Sequence, residues 1–147
     1  MVQVGTMHVA ALTVCLALIT AAPAFAADPV QGEWVTHARN AKVRIGPCPG
    51  DVQLMCGVIT WTRDPAVGQG KDARNRDPAL RSRQIMGMPA LTGFQRAGSG
   101  RWTGGRIYNA KNGQSYDGAL TVLPDGNLKV DVCLLKMACQ VQTWRRK

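Results

Sequence analysis

Polar and apolar residues alternate along most of the chain after residue 30, and this period of two predicts β-strands rather than helices. The alternation is clearest at residues 42–45, whereas the stretch 53–62 is longer and more apolar. An Asn-Gly pair at 112–113 and an Asp-Gly pair at 125–126 predict tight hairpin turns. The predicted strands are 33–37, 42–45, 53–62, 101–108, 115–123, 127–134 and 139–145.

The middle of the chain has no clear period. Residues 63–79 are polar, charged and glycine-containing, which predicts a long loop with room for a short helix inside it. The chain then returns to the core at Ile85, Met86, Leu91 and Phe94, and nearby Gly and Pro residues predict that strands within 80–94 are short. A Gly-Gly pair at 104–105 predicts a bulge or sharp bend in the strand 101–108.

A meander of about eight short strands predicts an all-β fold, a small antiparallel β-barrel. Closure into a barrel removes the exposed strand edges that would otherwise pair with other chains. A barrel of this size has an interior that side chains fill, or one that holds a single small ligand. A chain of 147 residues is too short for the large α/β sheets of dehydrogenases and kinases.

The N-terminal 26 residues have the pattern of a secretory signal peptide. Residues 9–22 form an apolar run broken only by two threonines, and Pro23 is followed by Ala24-Phe25-Ala26, a small-x-small cleavage pattern. We expect cleavage after Ala26, a domain at 27–147 and a periplasmic or secreted bacterial protein. An uncleaved membrane anchor is the alternative, but the run is shorter than the roughly 20 residues that a transmembrane helix needs.

Four cysteines remain after the predicted cleavage, in two local pairs, Cys48 with Cys56 and Cys133 with Cys139. An even number of cysteines in a small exported domain predicts disulfides, and four cysteines allow three connectivities. We favour the local pairs because each flanks a short segment that folds back on itself. A zinc site is the alternative, but these spacings are wider than zinc sites usually show, so no metal is predicted.

The charge is strongly basic, with 18 Lys and Arg residues against 9 Asp and Glu. Such a domain is attracted to anionic surfaces. Export argues against nucleic acid as the partner, and no nucleic-acid-binding motif is present. Lipopolysaccharide, teichoic acids or acidic lipid head groups are the anionic envelope polymers and surfaces that fit this charge.

Residues near both ends of the domain resemble those of the lipocalins. Gly32-Glu33-Trp34 matches the Gly-x-Trp that begins the first lipocalin strand, and the chain ends in a Thr-Trp-Arg run at 143–145. In lipocalins a late Arg packs across that first Trp at the closed end of the barrel, and a cation on an indole face is a stabilising contact. The resemblance implies that Gly32, Trp34 and Arg145 are structural residues that close the barrel.

A closer resemblance covers nearly the whole predicted domain. Its matching stretches are 32–34, 42–45, 47–48, 56–57, 59–61, Asp72, Asn75, 77–78, 80–83, 93–94, 102–108, Gly113, Tyr116 and 142–144. On these residues the chain resembles the exported bacterial family known as domain of unknown function 2147, which is lipocalin-like in fold. The family has no established activity, so the resemblance implies a fold and a location. Where the family usually has Asp-Pro after Tyr108, this chain has Asn109-Ala110.

Candidate catalytic residues are few. His37 is the one His of the predicted domain, and no Gly-x-Ser-x-Gly elbow, P-loop or dinucleotide motif is present. Asp72 and Asp77 are a carboxylate pair that could serve acid–base chemistry, but neighbouring Lys and Arg residues favour surface ion pairs. We therefore predict no enzymatic activity and no cofactor.

The candidate ligand-binding residues fall into two chemical sets. Guanidinium groups grip carboxylates or phosphates, so Arg81, Arg83 and Arg106 are the candidates for an anionic group. The candidate apolar walls are Trp61, Trp102, Tyr108 and Tyr116. The alternative is structural: the arginines form solvated loop charges and ion pairs, with Asp77 capping a turn and pairing with Arg81, and the aromatic residues fill the core.

The sequence thus favours a non-enzymatic, lipocalin-like binder of a small or lipidic ligand, for which the candidate arginines allow an anionic group. The alternative is an envelope interaction module with a filled barrel that docks by its basic surface.

Overall fold

Eight antiparallel strands follow one another around a closed barrel in the order of the sequence. The computed structural model describes residues 26–63, 70–135 and 137–147. The predicted signal peptide, apart from Ala26, lies outside these residues, as do residues 64–69 of the predicted loop. The strands are β1 (Gly32–Val35), β2 (Ala41–Cys48), β3 (Asp51–Thr62), β4 (Pro89–Gly98), β5 (Arg101–Asn109), β6 (Gln114–Val122), β7 (Leu128–Leu134) and β8 (Ala138–Arg146).

The predicted all-β barrel is confirmed, and two strands are clearly longer than expected: β2 spans eight residues where 42–45 was predicted, and β4 is the second. β4 runs for ten residues although it contains Pro89 and Gly93. Pro89 is the first residue of the strand, where Pro is tolerated. Gly93 lies at a register shift opposite Cys56, between the pairs Leu91–Gly57 and Phe94–Met55, so a bulge accommodates it.

The predicted irregularity at Gly104-Gly105 is also confirmed. The β5–β6 register shifts between the pairs Trp102–Leu120 and Gly105–Gly118, so two residues of β5 face one residue of β6. Gly104 has a φ of 71°, a backbone conformation that Gly adopts without steric cost.

The barrel has two distinct ends. At the closed end lie the short connections 49–50, 99–100 and 123–127, together with residues 26–31. At the open end lie the described residues of the connections 36–40, 63–88, 110–113 and 135–137. The largest fully buried side chains include Trp34, Phe94, Leu120, Leu128 and Val130.

Trp34 is the centre of the closed end. It is completely buried, and its indole Nε1 donates a hydrogen bond to the carbonyl of Val30 at 2.8 Å. The guanidinium of Arg146 lies 4.2 Å from the centre of the indole ring, and its nitrogens donate to the carbonyls of Pro29 and Gln31. This contact joins the last strand to the segment that precedes the first.

The prediction that Arg145 makes this contact is wrong by one position. In the ladder between β1 and β8, Trp34 is opposite Arg146, and Arg145 is opposite Val35. Successive side chains of a strand point to opposite faces, so only one of the two arginines is on the face of Trp34.

A buried carboxylate completes the closed end. Asp28 accepts hydrogen bonds from the Val30 backbone N–H at 3.0 Å and from the Trp102 indole at 3.0 Å. Arg96 donates to the same carboxylate at 2.8 Å, and its guanidinium lies 5.3 Å from the centre of the Trp102 ring. These contacts attach the N-terminal segment to β4 and β5.

Both predicted disulfides are present, Cys48–Cys56 and Cys133–Cys139. The first joins β2 to β3 near the closed end, and the second joins β7 to β8 at the open end. Each bond closes a loop of fewer than ten residues. For loops this short, chain-entropy arguments give a stabilisation of about 2–3 kcal/mol per bond.

Replacing Arg146 with Ala removes the cation from Trp34 and the donors to two backbone carbonyls. We expect the free energy of unfolding in urea to fall by about 1–2 kcal/mol. Arg145→Ala is the matched control: it removes the same charge from the opposite face and should change stability by less than about 0.5 kcal/mol. Equal losses from the two variants would contradict this account of the closed end.

Candidate ligand-binding site

The open half of the barrel contains a cavity of about 610 Å³. This volume lies within the range of small-molecule binding sites, roughly 300–1,000 Å³. Apolar side chains from six strands form most of its inner wall: Val43, Ile59, Ala90, Leu91, Ile107, Val132 and Trp144. Residues of the lining that carry polar groups include Tyr108, Tyr116 and Gln142.

The mouth of the cavity is cationic. Arg63, Lys71, Arg74 and Lys111 line it, and none of the described lining residues is Asp or Glu. His37 lines the same mouth from the connection between β1 and β2. An apolar interior below a positively charged mouth fits an anionic amphiphile, with its chain inside and its charged group at the mouth.

Residues 70–88, which we call the strap, lie beside this mouth between β3 and β4. The strap folds back on itself through a bridge between Lys71 and Gln84. Its C-terminal part extends the barrel wall, because Ile59 exchanges backbone hydrogen bonds with Gly87 and Met88. Ile85 and Met88 belong to a small apolar cluster with Ile59, Ala90 and Tyr108.

A buried carboxylate holds the strap to β5. Asp72 is completely buried and accepts hydrogen bonds from Arg83 at 2.7 Å, Asn75 at 2.7 Å and the Tyr108 hydroxyl at 2.6 Å. The Arg83 guanidinium also lies 5.6 Å from the centre of the Tyr108 ring. Because its three partners neutralise and solvate it, this carboxylate is a structural anchor for the strap.

Tyr108 is the barrel's contribution to this anchor. Burial and the hydrogen bond to the Asp72 carboxylate raise the pKa of Tyr108 to about 12. Burial disfavours the charged phenolate, and the neighbouring Asp72 carboxylate disfavours a second negative charge beside it. The hydroxyl is therefore a proton donor to Asp72 over the whole physiological range.

The turn between β5 and β6 is fitted closely against the strap. A Cβ atom at Gly113 would lie 1.7 Å from the carbonyl oxygen of Arg74, so only Gly fits there. Arg74 in turn donates to the carbonyl of Lys111 at 2.5 Å. Asn109 accepts a hydrogen bond from the Lys111 backbone N–H at 2.9 Å and stabilises the turn.

Among the residues predicted as apolar walls, Tyr108 and Tyr116 line the cavity. Trp61 is on the outer face, 39 % exposed, with the Lys42 ammonium 5.5 Å from its ring centre. The reason is a register shift between β2 and β3, which pairs Val43 with Ile59 but Lys42 with Trp61. The extra residue turns Trp61 outward. Trp102 lies at the closed end, bonded to Asp28.

The three arginines predicted to face an anion lie outside the cavity lining. Arg83 is paired with Asp72, and Arg81 donates through its Nε to the carbonyl of Asn75 at 2.8 Å. Arg106 lies on the outer face, because its neighbour Ile107 points inward. It forms an ion pair with Asp117 at 2.6 Å.

The structure separates the two candidate acid–base carboxylates. Asp72 is sealed by its three donors, whereas Asp77 is exposed and caps a 3₁₀ turn at Pro78–Leu80 by accepting from the Ala79 N–H. The predicted capping role of Asp77 is confirmed, but Arg81 bonds to Asn75 instead of Asp77. The prediction of surface ion pairs is wrong for Asp72, because its partners bury it.

The cations at the mouth are candidate binding residues that the sequence analysis did not select. Lys71 and Arg74 belong to the basic segment 71–83, and the positive net charge of that segment is the sequence feature that could have identified them. Lys111 had no signal of its own, because its place at the mouth depends on the β5–β6 turn. The described residues contain no group of three or more His, Cys, Asp or Glu side chains placed to hold a metal ion. In the same residues, no helix is long and apolar enough to span a membrane.

An eight-stranded antiparallel barrel with one plugged end and an apolar cavity at the other defines a lipocalin-like protein. The chain belongs to the family described as "Uncharacterized protein conserved in bacteria (DUF2147)", whose model matches residues 32–146. The predicted family membership is therefore confirmed. A comparison with curated proteins found no match.

The fold is shared with a solved structure from Helicobacter pylori. That structure is described as "Protein HP1028 from the human pathogen Helicobacter pylori belongs to the lipocalin family". The two structures superpose with a TM-score of 0.68 and 20% sequence identity, over 80% of this chain and 82% of that chain. The likeness establishes the lipocalin-like fold.

Replacing Tyr108 with Phe removes one of the three donors to the buried Asp72 carboxylate. At neutral pH we expect the free energy of unfolding to fall by about 1–3 kcal/mol. The pKa of Tyr108 is raised from 10.0 to about 12, so the wild-type protein keeps this contribution below pH 10 and loses it as the pH rises towards 12. Thermal denaturation followed by circular dichroism should show the difference between the two proteins shrinking across that interval.

Tyr116→Phe is the control for this prediction. The Tyr116 hydroxyl accepts a hydrogen bond from the exposed Asn112 amide, so its loss should cost less than about 0.5 kcal/mol at neutral pH. A Tyr108→Phe protein as stable as wild type at neutral pH would show that Tyr108 does not anchor the strap.

Proposed function

We propose that this protein is a non-enzymatic carrier or sensor of a small anionic amphiphile, held in the cavity at the open end. The observation that carries the proposal is the combination of an apolar cavity of about 610 Å³ with four cationic side chains at its mouth. The apolar wall provides affinity through the burial of hydrocarbon, and the cations select a negatively charged group.

The placement of the titratable groups supports binding without chemistry. Asp72 is sealed by Arg83, Asn75 and Tyr108, and His37 is exposed on a connection at the mouth. The cavity also favours this proposal over the alternative of an envelope module with a filled barrel, because side chains do not fill the open end of the barrel.

We further propose that the protein acts in the periplasm or outside the cell, after cleavage behind Ala26 and as the domain 27–147. Two disulfides and a bacterial family are compatible with an exported protein. Disulfides persist in oxidising compartments, so an extracytoplasmic ligand is expected.

Titration calorimetry with amphiphiles of one chain length tests the proposed binding. We expect dodecanoate to bind about tenfold more tightly than dodecylamine, because the cations at the mouth attract the carboxylate and repel the ammonium. Replacing both Lys71 and Lys111 with Gln should weaken dodecanoate binding by about 5- to 20-fold, at a few-fold for each partly exposed charge.

Arg106→Gln is the matched control, because it removes a cation from the outer face of the barrel and should leave the affinity for dodecanoate unchanged. Equal affinities of the wild-type protein for dodecanoate and dodecylamine would refute the role of the mouth cations. If the wild-type protein bound neither dodecanoate nor dodecylamine, the proposed function would be refuted.

A further inference from the structure

The exposed apolar residues of the described chain are concentrated at the open end. Eight large hydrophobic side chains are exposed. Six of them lie at the end of β3, in the strap or at the β7–β8 hairpin: Trp61, Leu80, Met86, Leu134, Leu135 and Met137. The other two are Val141 on the outer wall and Val52 on the β2–β3 hairpin.

Three of these residues, including the two most exposed, form the tip of the β7–β8 hairpin. We call Leu134, Leu135 and Met137 the apolar tip; their side chains are 51 %, 74 % and 85 % exposed. The Cys133–Cys139 disulfide crosslinks β7 and β8 at the base of the tip, where the two cysteines lie directly opposite each other. The tip is therefore presented to solvent on a constrained hairpin.

The local sequence of the tip is a poor choice for folding alone. Leu135 has a φ of 50°, a left-handed conformation in which Asn or Gly would fit with less strain. Its side chain is also exposed, so it buries little surface in return. A strained and exposed Leu at a hairpin tip is typical of a residue kept for an interaction.

The open end of the barrel, where the apolar tip lies, also carries an excess of positive charge. The described residues of the four open-end connections include eight Lys and Arg residues but two acidic residues, Asp72 and Asp77. Of these two, Asp72 is buried and paired with Arg83. Several cations nearer the closed end are neutralised instead: Arg96 by Asp28, Lys129 by Asp131 and Lys147 by Glu33.

Exposed apolar side chains at the same end of the barrel as an excess of cations match the interface of a bilayer with anionic head groups. The tip can enter the boundary between head groups and acyl chains, while the cations remain at the level of the phosphates. We propose that the open end of the barrel docks on an anionic lipid surface through the apolar tip, with the mouth of the cavity facing the membrane. This surface goes beyond the proposed ligand binding, because the tip lies outside the cavity lining.

Flotation with lipid vesicles tests the proposed docking. We expect the wild-type protein to bind vesicles of equimolar phosphatidylethanolamine and phosphatidylglycerol, and to bind phosphatidylcholine vesicles at least tenfold more weakly. The double variant Leu135→Asn/Met137→Ser should lose at least tenfold in partitioning, because it removes the inserted hydrocarbon. Asn at position 135 suits the positive φ, so the variant should keep the fold and its melting temperature.

Val52→Ser is the matched control. Val52 is 73 % exposed on a hairpin that is also crosslinked by a disulfide, but this hairpin lies at the closed end. We expect the Val52→Ser protein to bind anionic vesicles as tightly as the wild-type protein does. An equal loss from Val52→Ser, equal binding to phosphatidylcholine, or the absence of vesicle binding by the wild type would each overturn the proposal.

A dodecanoate titration separates this proposal from the proposed function. The tip variant should keep the wild-type affinity for dodecanoate while its vesicle binding is lost. If excess dodecanoate abolished vesicle binding by the wild type, the cavity and not the tip would be contacting lipid, and the docking proposal would fail. Self-association that depends on the tip in sedimentation velocity, without vesicle binding, would identify a second copy of the chain as the occupant.

Discussion

Closure of the barrel depends on a ladder of only two residue pairs. β1 is four residues long and meets β8 at Trp34–Arg146 and Val35–Arg145. Side chains strengthen this short seam: the Arg146 guanidinium covers the Trp34 indole and bonds to the carbonyls just before β1. Asp28 then attaches the same segment to β4 and β5. The completely buried Trp34 side chain fills the closed end, whereas the other end of the barrel contains the cavity.

Two kinds of polar group occur around the open half, and their surroundings separate structure from function. Asp72 is buried with three donors, and its carboxylate holds the strap against Tyr108. Lys71 and Lys111 are exposed and line the cavity mouth, so their charges are free to meet a ligand. The strap thus supplies an internal anchor and, in the proposed function, a cation for the ligand from positions that are adjacent in the chain.

Alternation and turn residues were sufficient to predict seven of the eight strands approximately, and the spacing of the cysteines to predict both disulfides, because these features depend on local sequence. Closure into a barrel was inferred from the number of strands. The errors came from features that depend on register. One extra residue in β3 turns Trp61 outward, and one position in β8 decides between Arg145 and Arg146. The burial of Asp72 depends on Tyr108, which is 36 residues away in the chain. A basic segment in a sequence likewise does not say which of its arginines are already paired.

The arrangement of the two disulfides has a consequence for the order of folding. Each bond lies within a single hairpin, so its cysteines meet through a loop of fewer than ten residues. The β1–β8 seam joins residues more than one hundred positions apart and cannot form until the last strand is available. Loop closure costs more entropy over long separations, so oxidation can be complete before the barrel shuts. The Cys48–Cys56 pair in particular can form before β4 to β8 have folded.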